Sequence, residues 1–285
     1  MADDLAHLAE WVGKRESAQD TATAFPVEAL AATFDRRDPV PAPGDEIPPG
    51  WHWLYFLEAK PASELGTDGH PKRGGFLPPV PLPRRMWAGG RLDFRKPLRV
   101  GETLRRDSEI LAVQPKHGKS GSLVFVTVRH TVHAGGEIAV VEEHDIVYRD
   151  AAKPGDPPPQ GKAAPSGVPW RRELKPDPVM LFRFSALTFN GHRIHYDLDY
   201  AKHEEHYAGL IVHGPMQTLL LLDLCRRFES RPVRTLAYRA QHPVFHDEAM
   251  SVNGKPSADG ASVELWTANA AGNYAMTGTA TFECP

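Results

Sequence analysis

Cysteine is nearly missing from this 285-residue chain, which has only Cys225 and Cys284. The first lies inside an apolar helical pattern and the second is one residue from the C-terminus, which excludes a disulfide framework. A surplus of charge is missing too. The formal net charge of −3 and the pI near 6.5 supply no general basic field, so neither nucleic acid nor an anionic membrane is an expected partner. The longest apolar run, around Leu219 to Leu222, falls far short of the roughly 20 residues of a membrane span. The opening MADDLAHLAEWVGKRES is acidic at once and has no uninterrupted apolar core, against a signal peptide. These absences set the expectation of a reduced, cytoplasmic protein.

Proline and glycine, by contrast, are plentiful, and they are densest in AAKPGDPPPQGKAAPSGVP, residues 151–169. With almost nothing apolar to bury, this stretch reads as a linker that divides the chain into residues 1–150 and 170–285. The two parts resemble each other. RKPLRVGETL from Arg95 lies over QHPVFHDEAM from Gln241. Both continue into runs predicted as strands: Leu123 to Val132 and Glu137 to Tyr148 in the first part, Ser262 to Ala268 and Tyr274 to Phe282 in the second. Alternation such as Val124, Val126, Val128 gives a strand one buried face.

Further upstream, LAATFDRRDPVP from Leu30 shadows SALTFNGHRIHY from Ser185. That pairing sets Asp35 opposite Asn190 and Val40 opposite His195, so the first copy lacks the histidine. The second copy goes on into GPMQTLLLLDLCRRF, Gly214 to Phe228, a helix apolar nearly all round and therefore buried. A matching helix is missing from the first copy, between Gly90 and Phe94, and WHWLYF at Trp51 to Phe56 reads as strand core. A buried helix wrapped by a bent antiparallel sheet, twice in one chain, points to an α+β double hotdog.

The chemistry concentrates in FSALTFNGHRIHYD, Phe184 to Asp197. His192, His195, His203, His206 and His213 crowd one region, but there is no companion cysteine pair and no HExxH, so no metal is expected. His203 and His206 read as solvated. No GxSxG elbow accompanies Ser185, which sets covalent catalysis aside. General acid/base work by one imidazole beside an amide remains. The free N–H groups at the start of the Gly214 helix suit a developing oxyanion. The plainer alternative is that Asn190 caps a turn, His195 is a hydrogen-bonded core histidine and Gly214 merely opens a helix.

TFNGHRIHYD with YAGLIVHGPM resembles the MaoC-type, or hydratase-2-type, enoyl-thioester hydratase/dehydratase family. Asn190 falls at that family's Asp, His192 and Arg193 at its Asn-Pro, His195 at its catalytic His and Gly214 at its oxyanion glycine. Together with WHWLYF and HPKRGGFLPPVPLPRRMWAGGRLDF, nearly the whole chain is similar to the fused two-hotdog acyl dehydratases, a group that includes hydratases of mesaconyl-CoA and itaconyl-CoA. The resemblance implies addition of water to an α,β-unsaturated acyl-CoA, possible pairing into a homodimer, and no cofactor beyond the CoA of the substrate. It also implies roles: His195 as general base that returns the proton to the α-carbon, Asn190 as holder of the water, and the Gly214 N–H on the enolate oxygen. A dicarboxylic substrate needs a cation for its second carboxylate. Within PKRGGFLPPVPLPRRMW, which carries Lys72, Arg73, Arg84 and Arg85, either Arg84 or Arg85 is expected to supply it, over His192 or Arg193, with His213 as a further binding residue. Two readings stay open beside this one: dehydration of 3-hydroxyacyl thioesters of fatty-acid type, and a non-catalytic acyl-CoA-binding module.

Overall fold

The computed structural model describes residues 3–118, 121–150 and 160–283. In the first half, β1 (Arg15–Thr21) leads into α1 (Ala24–Thr33), the short β2 (Glu46–Ile47), β3 (Arg84–Phe94), β4 (Leu98–Arg99), β5 (Thr103–Gly118), β6 (Gly121–Ala134) and β7 (Glu137–Arg149). The second half repeats the plan with β8 (Trp170–Leu174), α2 (Pro178–Leu187), α3 (Leu198–His203), α4 (Gly214–Phe228), β9 (Val233–Ala240), β10 (Met250–Pro256), β11 (Ser262–Ala268) and β12 (Tyr274–Phe282). Ten strands form one antiparallel sheet in the order β1-β5-β6-β7-β3-β9-β12-β11-β10-β8. Read from either edge, the two halves have the same order and meet at the β3–β9 pair.

This is the expected α+β double hotdog. β11 and β12 have the expected bounds, and the two expected first-half strands lie within β6 and β7. The 95/241 alignment also holds at the level of hydrogen bonds: Arg95 and Lys96 both donate to the Ala139 carbonyl, as Gln241 and His242 do to Ala275. Much of the expected linker lies outside the described residues. Its last part returns to the second half, where Ala163 bridges Asn273. Cys284 also lies outside the described residues, and Cys225 is a buried free thiol. Among the described residues no helix is long and apolar enough to cross a membrane.

Three expectations are corrected. The segment Gly90 to Phe94 is not where a helix was lost, because it belongs to β3, the partner of β9 across the seam. The counterpart of α4, lying between the first helix and the seam strand, is the single 3-10 turn Trp51–Leu54. WHWLYF is therefore core, as expected, but not strand: Trp51 is fully buried with its ring edge against Phe34 at 6.4 Å. The third correction is a register. After α1 the N–H groups of Phe34, Asp35 and Arg36 bond the carbonyls of Leu30, Ala32 and Ala31, and after α2 those of Thr188, Phe189 and Asn190 bond Phe184, Ala186 and Ser185. Both ladders reverse the chain through a left-handed residue, Asp35 (φ 53°) and Phe189 (φ 48°). Arg36, not Asp35, thus stands where Asn190 does; the shared Thr-Phe pair had drawn the alignment off by one.

α4 is buried from Met216 to Cys225. Each of its leucines removed from water stabilises the fold by about 1.5–3 kcal/mol. One position within that buried stretch is charged. Asp223 is completely buried and is bonded by Arg36 (2.7 Å), Arg172 (3.0 Å) and Arg227 (2.7 Å), while Arg36 and Arg226 also hold Asp38. The first-copy turn is thereby tied to the C-terminal end of the second copy's helix.

Candidate active site

The second-half turn has no such ion network. Past Phe189 the Asn190 side-chain oxygen accepts the His192 N–H at 3.0 Å, closing a local turn. This occupies the amide's acceptor and leaves its NH2 as a donor. A 3-10 turn, Arg193–His195, follows, and Asp197 caps α3 through the Tyr200 N–H. His195 donates from Nδ1 to the Ile211 carbonyl at 2.7 Å, which leaves Nε2 bare. Its other face stacks on His213 with centroids 3.6 Å apart, and His192 stands edge-on to it at 5.5 Å. Burial is the main force holding all three imidazoles neutral: it pushes His195 down to about 4 and His192 to about 2, and puts His213 well below the ordinary value.

Asn190, His192, His195 and Gly214 line one cleft of about 2190 Å³. Gly214 opens α4 with Pro215 behind it, and among the described residues no backbone acceptor pairs with its N–H. Trp87 of β3 lies against it, so that a Cβ there would sit 3.3 Å from the Trp87 side chain. Two expected binding residues are elsewhere. His213 is sealed in the core, with Nε2 bonded to Ser185 Oγ at 2.8 Å, and supports His195 from behind. Arg193 is turned outward, forked onto Asp197 and packed over Tyr200. The solvated reading of His203 and His206 holds.

The cations of the Pro-rich segment separate clearly. Lys72 donates to the Ser63 carbonyl. Arg73 donates to the carbonyls of Val80, Leu82 and Pro83 and lies over Tyr148, latching its own loop. Arg84 pairs with Glu205 at 2.9 Å and stacks on Tyr207. Arg85 has no carboxylate partner among the described residues. It reaches Tyr148, and its charge is felt by His70, His144 and His192, all of which line the cleft.

Spacing alone missed the loop that carries His70. Residues 66–70 of the first half lie directly on 190–193 of the second. The Arg193 N–H donates to the Asp68 carbonyl at 2.9 Å, and the Arg193 guanidinium to the Thr67 carbonyl at 3.0 Å. Gly69 (φ +86°) and Gly191 meet backbone to backbone: a Cβ on Gly69 would overlap the Gly191 carbonyl, and one on Gly191 would come 2.8 Å from the Gly69 oxygen. Gly69→Ala should lift the loop, cost about 1–3 kcal/mol as overpacking does, and cut turnover. Urea unfolding and steady-state kinetics check this, and wild-type values in both would rule the docking out. The sequence signal was an Asp-Gly-His, in TDGHP.

Asp68 accepts both the backbone N–H (3.0 Å) and Nδ1 (3.2 Å) of His70. Burial works against its charge, but the bonds and charge of His70 outweigh that and hold the carboxyl below the usual range. Asp68, His70 and His192 bring ligand-type atoms within 4.8 Å of one another. Both Asp68 oxygens already accept from His70, so the trio is read as a hydrogen-bonded one.

The inner end of the cleft, where the first copy lacks its helix, is polar. Buried Glu142 accepts from His52 Nε2 (3.1 Å) and Trp53 Nε1 (2.9 Å), and His144 stacks on Trp87 at 3.7 Å. Burial opposes ionisation of Glu142, yet the His52 bond and the surrounding histidines hold it down to about 2.

A double hotdog whose cleft joins a bare imidazole nitrogen, an amide donor and an open helix start is the framework of a thioester hydro-lyase. Residues 50–246 match the model of the hydroxyacyl-thioester dehydratase type 2 family. The chain is 44% identical over 254 residues to the mesaconyl-C(4)-CoA hydratase of Chloroflexus aurantiacus, covering 89% of this chain and 91% of that one. It is 26% identical to a mitochondrial hydroxyacyl-thioester dehydratase type 2 of Schizosaccharomyces pombe, covering 82% and 88%. Among solved structures, a MaoC-like dehydratase superposes with a TM-score of 0.70 at 15% identity, covering 98% and 100%. A double-hotdog protein of Mycobacterium tuberculosis does so with 0.58 at 15%, covering 98% and 97%; these two likenesses speak for the fold. The chain belongs to the hydroxyacyl-thioester dehydratase type 2 family and is a hydratase/dehydratase, not a non-catalytic module.

Proposed function

We propose that the enzyme adds water across the double bond of a short α,β-unsaturated acyl-CoA bearing a carboxylate beside that bond, of the mesaconyl-C4-CoA type, to give a citramalyl-CoA-type product. The observation that carries this reading is Arg85, a guanidinium without a carboxylate partner among the described residues, set in the same cleft as His195 and Gly214. A carboxylate on the β-carbon needs a cation free to pair with it; Arg85, whose charge reaches His192, is free to do so where ion-paired Arg84 is not. The named relative supports the substrate class. The fatty-acyl reading, which the fungal relatives would suggest, is disfavoured by the polar lining that Glu142, His130 and His144 give one end of the cleft, which suits a polar acyl group better than an alkyl chain.

In this reading the Asn190 NH2 holds the water by its oxygen, and His195 Nε2 takes a proton as that oxygen bonds to the β-carbon. The thioester oxygen rests on the Gly214 N–H at the positive end of α4. Acid/base chemistry alone balances the reaction, so no resident cofactor or metal is invoked. A homodimer, supported by the family resemblance, and a cytoplasmic location, supported by sparse cysteine, belong to the same proposal.

Arg85→Gln is expected to raise KM for mesaconyl-C4-CoA by roughly tenfold or more, as loss of a charge-assisted bond of about 1.5–3 kcal/mol implies, and to leave KM for crotonyl-CoA nearly unchanged. Arg84→Gln should affect both substrates alike. Equal effects of Arg85→Gln on the two substrates would reject the carboxylate role.

A further inference from the structure

Hydration needs a second proton transfer, to the α-carbon, and Asn190 cannot serve it because an amide has no titratable proton. We propose that His70, oriented by Asp68, is the group that protonates the α-carbon, and that His192 returns the proton to it from His195. This rests on the hydratase reading above and divides between two histidines what a lone His195 would otherwise do twice.

The geometry behind it is a contiguous row of imidazoles fed by a carboxylate. Asp68 holds His70 through two bonds, one from its backbone N–H and one from ring Nδ1, so Nε2 is the end left for the cleft that His70 lines. The His70 ring lies 4.2 Å from that of His192, which in turn stands edge-on to His195 at 5.5 Å. His213, the other neighbour of His195, is sealed in the core and bonded to Ser185. The loop carrying His70 is seated on the catalytic turn by the Gly69–Gly191 contact and the two Arg193 bonds.

The step balances. His195 Nε2 takes one proton from water as the oxygen bonds to the β-carbon, and the π pair moves onto the α-carbon and thioester oxygen. The enolate then collapses by taking the proton from His70 Nε2–H, restoring the C=O and completing the C–H bond. His195 is left charged and His70 neutral, and transfer through the two nitrogens of His192 resets both. Net, one water is added and no charge changes.

The charged and titratable groups that face His70 are Asp68 on its own loop, Arg73 on the Pro-rich segment, Arg85 on β3, and His192 and His195 on the catalytic turn. Burial and the two arginines disfavour its charged form, while Asp68 favours it. A substrate carboxylate seated on Arg85 cancels one of those positive charges. His70 therefore takes up its proton as the dicarboxylic substrate docks, and a substrate lacking the carboxylate leaves it empty.

His70→Gln and Asp68→Asn in the full chain test this. His70→Gln should lower kcat on mesaconyl-C4-CoA by about 10²- to 10⁴-fold with little change in KM. Asp68→Asn should move the alkaline limb of kcat to lower pH, because the carboxylate that favours imidazolium is gone. Calorimetry of the saturated analogue, methylsuccinyl-CoA, in buffers of different ionisation enthalpy should show proton uptake in the wild type and none in His70→Gln. Uptake that persists in His70→Gln, or variants that lose activity while keeping the wild-type alkaline limb, would overturn the proposal and leave His70 a structural strut. Failure of the wild type to hydrate any enoyl-CoA would instead defeat the hydratase reading, and the calorimetric result would stand apart from it.

Discussion

His195→Ala should lower the rate of enoyl-thioester hydration by about 10²- to 10⁴-fold, the usual contribution of a positioned acid/base group. The expectation comes from the tautomer: Nδ1–H is committed to the Ile211 carbonyl, so the ring presents one bare nitrogen to the cleft and cannot rotate away without orphaning a buried carbonyl. His195→Gln, which keeps much of the shape, should lose nearly as much rate with less loss of stability, separating proton transfer from packing. Near wild-type hydration by either variant would defeat the scheme. The same burial sets a pH window for stability. The folded pKa, about 4, lies below the unfolded value near 6.5, so the unfolded chain binds the proton first. The contribution is fully present above pH 6.5 and shrinks as pH falls from there to about 4. Urea midpoints across that window should fall toward acid in the wild type and fall less steeply in His195→Gln.

The second large effect lies at the far end of α4. Asp223→Ala should destabilise the fold by about 3–5 kcal/mol, as removal of one member of a buried ion cluster does. Asp223 has no exposed surface, and Arg36, Arg172 and Arg227 all converge on it. Without it Arg36 keeps Asp38 and Arg172 keeps the Phe34 carbonyl, but three partly buried cations repel one another. Asp223→Asn, which keeps an acceptor, should lose less. Because Gly214 stands at the opposite end of the helix, the folded fraction should retain its KM. Chemical denaturation measures the first effect and kinetics on the surviving enzyme the second; a loss of under 1 kcal/mol would show that the cluster contributes little.

The fold was legible because its signals are short-range. Alternation marked β11 and β12 to the residue, and an all-apolar turn pattern marked α4. The one-residue slip between Asp35 and Arg36 arose because matching Thr-Phe letters outweighed a hydrogen-bond ladder that letters do not display. Asn190, His195 and Gly214 were legible for the same local reason, all lying within one 25-residue stretch. His70 and Asp68 were not assembled, since they reach the site from more than 100 residues away. Nor could spacing tell Arg84 from Arg85, because what separates them is Glu205, a partner supplied by the other half.

The glycine-to-glycine seam divides the proposed chemistry between the two halves of a duplicated chain. Residues 190–214 carry the water-adding groups, whereas the segment from Asp68 to Trp87 carries the proposed α-carbon acid and the proposed carboxylate clamp. Once its own turn was given over to Arg36 and Asp223, the first copy was free to lend its long loop to its sister. Diversification of such an enzyme can therefore proceed at Arg85 on one half, provided the loop keeps Asp68 and His70, while the water-adding groups of the other half are inherited intact.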